Sequence, residues 1–169
     1  NMTDIQAAIG LIELGRYQEN LDRRKAIFAE YDQAFSTHKW AQTPIYQNDQ
    51  KTSSYHLYQL RIHNCSEAQR DAIIQAIFDH DVAVNVHFQP LPLLTAYKNL
   101  GYQIADYPNA LDNYSREISL PVYYDLTDAQ VQTVIAAVCA SIKKILKWKS
   151  YPSSYFFYFP YLPMRKIGL

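Results

Sequence analysis

Three capping boxes divide the chain, each a Ser or Thr followed three residues later by Gln at the start of an apolar repeat. The pairs are Thr3 with Gln6, Ser66 with Gln69, and Thr127 with Gln130. In a capping box the hydroxyl accepts a hydrogen bond from the third helical N–H, and the Gln side chain reaches back to the cap. The spacing therefore predicts three helix starts at fixed places.

Apolar residues follow each capping box at helical spacing. The last helix has the most regular stripe, which consists of Val131, Val134, Ile135, Val138, Ile142 and Ile145. The middle helix carries Ala72, Ile73, Ala76 and Ile77 and is predicted to end near Asp79. The first helix is predicted to break at Gly15 and to be followed by a second, charged helix over about 20–35.

Three stretches between the helices are predicted to be strands, namely 55–62, 82–88 and 117–120. In the first, His56, Tyr58, Leu60 and Ile62 are expected to face one way, and His56 is expected to be buried and hydrogen-bonded. Short helices are predicted near 93–100 and 107–114. The order predicts a small α/β domain, with helices packed on a small, mostly antiparallel sheet.

Composition argues against several partners. Sixteen basic residues balance sixteen acidic ones, so neither nucleic acid nor an anionic membrane is expected to bind. No segment reaches the roughly 20 apolar residues of a membrane span. Cys65 and Cys139 lie far apart and are expected to be reduced thiols, which favours the cytoplasm.

Ligand-binding patterns are sparse. The four glycines form no phosphate-binding loop, so most of any site for a phosphorylated cofactor is expected to lie elsewhere. The five histidines show no helical pair and no cysteine partner at ligand spacing, so no metal site is predicted. Ser53, Ser54 and Cys65 lack a strained glycine turn or a base, so no nucleophilic triad is predicted either.

Four segments together resemble one enzyme family. They are NMTDIQAAIG at 1–10, SSYHLY at 53–58, VNVHFQPL at 84–91 and SLPVY at 119–123. In this order they resemble the C-terminal half of the DegT/StrS-type nucleotide-sugar aminotransferases. The resemblance covers about 1–146 and implies the small C-terminal domain of a fold-type I PLP enzyme. Residues 147–169, rich in Tyr, Phe and basic side chains, are expected to form an atypical tail.

The resemblance implies transfer of an amino group from glutamate to a nucleotide-linked keto-sugar in surface polysaccharide biosynthesis. The resemblance also implies pyridoxal 5'-phosphate as the cofactor, held by a Schiff-base lysine, and a homodimer, which is the usual state of the family's members. No lysine of this chain has the family context of a preceding histidine and a following Gly-Gly. The catalytic lysine is therefore expected upstream of this chain, which alone is expected to be inactive.

Two residues take a site role from the resemblance. Asn1 matches the polar residue that reaches the cofactor phosphate of the neighbouring subunit, and is the expected cofactor-binding residue. His87 matches the first histidine of the family's segment near the sugar-nucleotide site, and is the expected substrate-binding residue. Pro92 stands where that segment has its second histidine.

Two alternatives stay open on sequence grounds. A truncated gene product could retain the fold as a noncatalytic module that oligomerises or binds a sugar nucleotide. The other alternative is a dehydratase with the same PLP fold. It stays open because the residues that separate dehydratases from transaminases are expected upstream of this chain.

Overall fold

A computed structural model of the chain describes residues 2–147, so Asn1 and residues 148–169 lie outside the described residues. These residues form six α-helices and five short strands. The helices are α1 (Asp4–Gly15), α2 (Tyr17–Phe35), α3 (Glu67–Phe78), α4 (Thr95–Asn99), α5 (Pro108–Arg116) and α6 (Asp128–Leu146). The strands are β1 (Ala41–Gln42), β2 (Gln47–Asn48), β3 (Lys51–Thr52), β4 (Tyr58–Ile62) and β5 (Glu117–Leu120).

The three predicted capping boxes are confirmed. In each, the hydroxyl of the N-cap residue accepts from the backbone N–H of the Gln at 3.3 Å, and the Gln side chain accepts from the N-cap N–H at 2.9 Å. The predicted break after the first helix is also confirmed, because α1 ends at Gly15 and only Arg16 separates it from α2. The second helix begins at Tyr17, three residues before the predicted start.

The main sheet has the order β1-β4-β5 and is antiparallel throughout, as predicted. Strands β2 and β3 form a separate antiparallel hairpin. The prediction of a strand over 82–88 is wrong, because this segment makes only a single bridge, between Asn85 and Ser119. Beyond that bridge, side chains rather than a backbone ladder hold the segment, as described below for His87.

The main sheet has one apolar face and one polar face. Residues paired directly across antiparallel strands lie on the same face. Tyr58 pairs with Leu120 and Leu60 with Ile118, and all four are buried in the core. On the other face Gln59 pairs with Ser119, and Arg61 with Glu117. The sheet therefore packs its apolar face into the core and carries a row of polar side chains on its other face.

The helical layer is centred on α6, which packs against α3 and α2. Its predicted stripe is confirmed by Val131, Val134, Val138 and Ile142, all buried. By length and composition alone α6 could cross a membrane. Its stripe instead packs into the core, as expected of the central helix of a globular domain.

Aromatic residues of α2 and β4 fill the core next to this layer. The ring of Phe28 lies edge-on to those of Tyr46, Tyr55 and Tyr58 at 5.0–5.3 Å. The half-buried carboxylate of Asp32 accepts from the hydroxyls of Tyr58 at 2.6 Å and Tyr46 at 2.7 Å. The tyrosines thus contribute apolar area while their hydroxyls remain hydrogen-bonded.

The prediction for His56 is wrong, because this side chain is exposed and precedes β4. Tyr55 adopts a left-handed backbone conformation with φ of 53° and is itself buried. Because of this turn, the alternation of buried and exposed side chains in β4 does not continue back to His56. His56 consequently lies with Arg16 and Tyr17 on a polar surface cleft beside the junction of α1 and α2.

Candidate functional site

A cavity of about 590 Å³ lies on the polar face of β4 and β5. The segment 85–90, helix α5 and the β2–β3 hairpin surround it. Its lining residues are Pro44, Ile45, Lys51, Gln59, Arg61, His87, Phe88, Pro90, Ala110, Asn113, Tyr114 and Glu117. The volume is in the range typical of small-molecule sites, and the lining mixes apolar side chains with a few polar groups.

Glu117 is the buried carboxylate of this cavity. It is the first residue of β5 and only 4% exposed. One carboxylate oxygen accepts from the backbone N–H of His87 at 3.0 Å, and the other accepts from the hydroxyl of Ser119. Burial raises the pKa of the Glu117 carboxyl, against the hydrogen bonds from Ser119 and His87, which lower it.

His87 is held from both sides of its backbone. Its N–H donates to Glu117 on β5, and its carbonyl accepts from the Gln59 side chain on β4 at 3.0 Å. The imidazole is half-buried and lies against the ring of Phe88 at 4.6 Å. Its Nδ1 atom is buried and has no hydrogen-bond partner among residues 2–147. A hydrogen-bonding group of a ligand, a water molecule or a residue outside 2–147 would therefore satisfy this nitrogen.

Arg70 fixes the wall behind the cavity. Its side chain is 1% exposed, although it lies on the apolar stripe of α3. The guanidinium donates to the backbone carbonyls of Tyr114 at 2.5 Å and Glu117 at 3.3 Å, and it lies 4.8 Å from the centre of the Tyr114 ring. Asp71 compensates its charge at 2.7 Å. Arg70 thereby joins α3, α5 and β5 where Glu117 begins.

Of the two predicted site residues, only His87 lies in the described part of the chain, and it lines the cavity. Asn1 lies outside the described residues, so its role stays a prediction. Sequence reasoning missed Gln59, Arg70 and Glu117. Arg70 carried one signal, because it stands three and seven residues before Ile73 and Ile77 on a buried helix face.

The comparisons with known proteins decide the family. The sequence model of the DegT/DnrJ/EryC1/StrS aminotransferase family matches residues 1–139. The chain belongs to this aminotransferase family. The expected family and fold are thus both confirmed, and the matched part is the C-terminal part of its relatives.

Two curated family members illustrate the range of similarity. The spore coat polysaccharide biosynthesis protein SpsC of Bacillus subtilis is 36% identical over 146 residues, which are 85% of this chain and 37% of that protein. The UDP-4-amino-4,6-dideoxy-N-acetyl-beta-L-altrosamine transaminase of Campylobacter jejuni is 28% identical over 146 residues, 85% of this chain and 38% of that protein. The chain thus spans little more than a third of the curated relatives it matches.

Solved structures of sugar aminotransferases also match this chain. Spr1654 of Streptococcus pneumoniae, assigned as a sugar aminotransferase, is 40% identical with a TM-score of 0.82 in its apo-form. The match covers 87% of this chain and 37% of Spr1654. The same protein has been solved in PMP- and PLP-forms.

The described residues do not fit a complete PLP site. A lysine that attacks PLP is typically desolvated or placed beside another cation. The lysines exposed on the surface are Lys39, Lys51, Lys98, Lys143, Lys144 and Lys147. The remaining described lysine, Lys25, lies over the Tyr55 ring and pairs with Asp22. No step of the chemistry is therefore assigned to a lysine of residues 2–147.

Metal chemistry has no support in the same part of the chain. Within residues 2–147 no three His, Cys, Asp or Glu side chains come together as a metal site would require. Glu117 and His87 do lie together, but the contact is between the Glu117 carboxylate and the backbone N–H of His87.

Proposed function

We propose that this chain forms the C-terminal small domain of a PLP-dependent aminotransferase that moves an amino group from glutamate to a nucleotide-linked keto-sugar. The observation that carries the proposal is the cavity around His87, in a chain that matches the family over residues 1–139. The names of the relatives support a sugar substrate and a role in surface polysaccharide biosynthesis.

Within this function, His87 is the substrate-facing residue of the small domain. Glu117 and Gln59 fix its backbone, so the imidazole reaches the cavity from a rigid base. The buried Nδ1 without a partner suits a hydrogen bond to a sugar hydroxyl or carbonyl. The chain thus binds and orients the sugar nucleotide, and a lysine outside residues 2–147 supplies the chemistry.

Helix α1 supports an assembly with further aminotransferase residues. It has no buried side chain, and its large apolar residues are 60–74% exposed. They are Ile5, Ile9, Leu11, Ile12 and Leu14. An apolar surface of this kind marks an interaction site. We propose that the large domain and the partner subunit of a homodimer cover it.

The cysteines support the proposed cytoplasmic location. Cys65 and Cys139 are both unpaired thiols, and Cys65 is buried. Burial raises the pKa of each thiol, so each remains in its less reactive, protonated form. This is the state expected of structural cysteines in a reducing compartment.

The test is a chimera in which this chain replaces the matching part of Spr1654. We expect the purified chimera to bind PLP and to convert it to the PMP-form when glutamate is added, followed by visible absorbance. Native Spr1654 is the positive control, and this chain alone, mixed with PLP and glutamate, is the negative control. A folded chimera that binds PLP but fails to react with glutamate would contradict the proposal.

A further inference from the structure

Two residues that line the cavity are cationic, and neither forms an ion pair within residues 2–147. Arg61 is on β4 and Lys51 on β3. The ion pairs of the described chain involve other residues. The Arg61 guanidinium donates to the neutral side-chain oxygen of Asn113. It has five N–H donors, so most of them remain available to a ligand.

The carboxylates near Arg61 are already engaged. Glu117 pairs with Arg61 in the strand register, but its two oxygens accept from His87 and Ser119. Asp112, next to Asn113, accepts from Arg116 at 2.8 Å. Arg61 therefore forms no direct ion pair with either carboxylate, and an anionic ligand would complete the site.

Both cations stand on ordered backbone. Arg61 lies inside β4 between two paired strands. Lys51 is exposed, but the side-chain oxygen of Asn48 accepts from the backbone N–H of Gln50 and of Lys51, each at 3.0 Å. The hairpin therefore holds the start of the Lys51 side chain in place, and the flexible stem supplies the reach to a ligand.

We propose that Arg61 and Lys51 form an anion subsite that takes the diphosphate of the nucleotide-linked sugar, an inference that rests on the proposed function. The planar guanidinium matches the paired oxygens of a phosphate, and the ammonium adds a point charge. Two cations suit a diphosphate with two negative charges better than a single carboxylate. Gln59 and Asn113 supply neutral polar groups in the same cavity.

The test uses the complete 169-residue chain, labelled with ¹⁵N and titrated with inorganic pyrophosphate at low ionic strength. We expect saturable shifts of the amide signals of Lys51, Arg61 and Asn113. The double variant Lys51→Gln/Arg61→Gln weakens binding by about tenfold or more, since each lost phosphate contact to a cation is a charge-assisted hydrogen bond. The control Lys98→Gln removes an exposed lysine outside the cavity and leaves the affinity unchanged.

Four outcomes would overturn the subsite. They are equal affinity in the wild type and the double variant, saturable shifts centred outside the cavity, equal weakening by Lys98→Gln and Lys51→Gln, and tighter binding of glutamate than of pyrophosphate at the same residues. If Arg61→Gln disturbs the fold, the amide spectrum reveals it, and the exposed Lys51→Gln alone carries the test. A chimera that reacts with glutamate while this chain ignores pyrophosphate would remove the subsite and leave the proposed function standing.

Discussion

The buried carboxylate of Glu117 accepts a hydrogen bond from the backbone N–H of His87 at 3.0 Å. This contact connects a strand of the main sheet to the segment that carries the proposed substrate-binding residue. Because the segment makes only one backbone bridge to the sheet, side chains determine its position. The geometry of the cavity thus depends on Glu117 and Gln59, which belong to none of the four family-like segments.

Replacing Glu117 with Ala leaves the N–H of His87 and the hydroxyl of Ser119 without their acceptor. We expect the free energy of unfolding to fall by about 1–3 kcal/mol, the cost of a buried unsatisfied group. Urea denaturation followed by circular dichroism measures it. The matched control is Glu13→Ala on α1, which removes an exposed carboxylate and should cost no more than about 0.5 kcal/mol. Equal losses in the two variants would show that the Glu117 contact contributes nothing.

Arg70→Met tests the wall behind the cavity. Methionine fills much of the buried space but leaves the carbonyls of Tyr114 and Glu117 without a donor. We expect a loss of about 2–5 kcal/mol in the free energy of unfolding. Arg16→Met, at an exposed arginine between α1 and α2, is the control and should stay close to the wild type. A stabilised Arg70→Met would mean that apolar packing alone suffices at this position.

Tyr46 should make stability depend on alkaline pH. The hydrogen bond to Asp32, with burial and the charge of Asp32, raises the pKa of Tyr46 from 10.0 to about 12. Its contribution is therefore complete below pH 10.0 and is lost as the pH rises to about 12. The advantage of the wild type over Tyr46→Phe should shrink over this range.

The measurement is urea unfolding of both proteins at several pH values. Tyr31 and Tyr58, whose pKa values burial also raises, are present in both proteins. Tyr58 shares Asp32 with Tyr46, so the difference reports Tyr46 together with its effect on Tyr58. Tyr102→Phe, at an exposed tyrosine, is the control and should differ from the wild type by a constant amount. A difference for Tyr46→Phe that stays constant with pH would contradict the role of Asp32.

Helix α1 supplies a test of assembly. We expect the triple variant Ile5→Gln/Ile9→Gln/Ile12→Gln to leave the unfolding free energy of this chain within about 0.5 kcal/mol, because these side chains are exposed. In the chimera with Spr1654 the same changes should weaken dimer formation, measured by analytical ultracentrifugation. The control Glu13→Ala alters an exposed polar residue of α1. A chimera whose dimer resists the triple variant would exclude α1 from the interface.

Helix starts and the core stripe were predictable from sequence because each depends on local chemistry. The capping boxes at Thr3, Ser66 and Thr127 carry both of their hydrogen bonds within three residues. The stripe of α6 follows from helical spacing alone. These features need no knowledge of distant parts of the chain.

The parts that failed depend on long-range contacts or on one backbone angle. The predicted burial of His56 assumed unbroken strand alternation, which the positive φ of Tyr55 ends. The roles of Glu117 and Gln59 come from contacts with His87 across 30 and 28 residues. His87 itself was found only through a family motif, and no local pattern identifies the side chains that hold it.

The most direct test of the account is the second half of the reaction. The PMP-form of the chimera is mixed with a panel of nucleotide-linked keto-sugars, and return of the PLP-form is followed by absorbance. We expect at least one sugar to restore the PLP-form, and we expect His87→Ala to slow this step by about tenfold or more while sparing the glutamate step. Absence of reaction with every sugar, or an unchanged rate in His87→Ala, would contradict it.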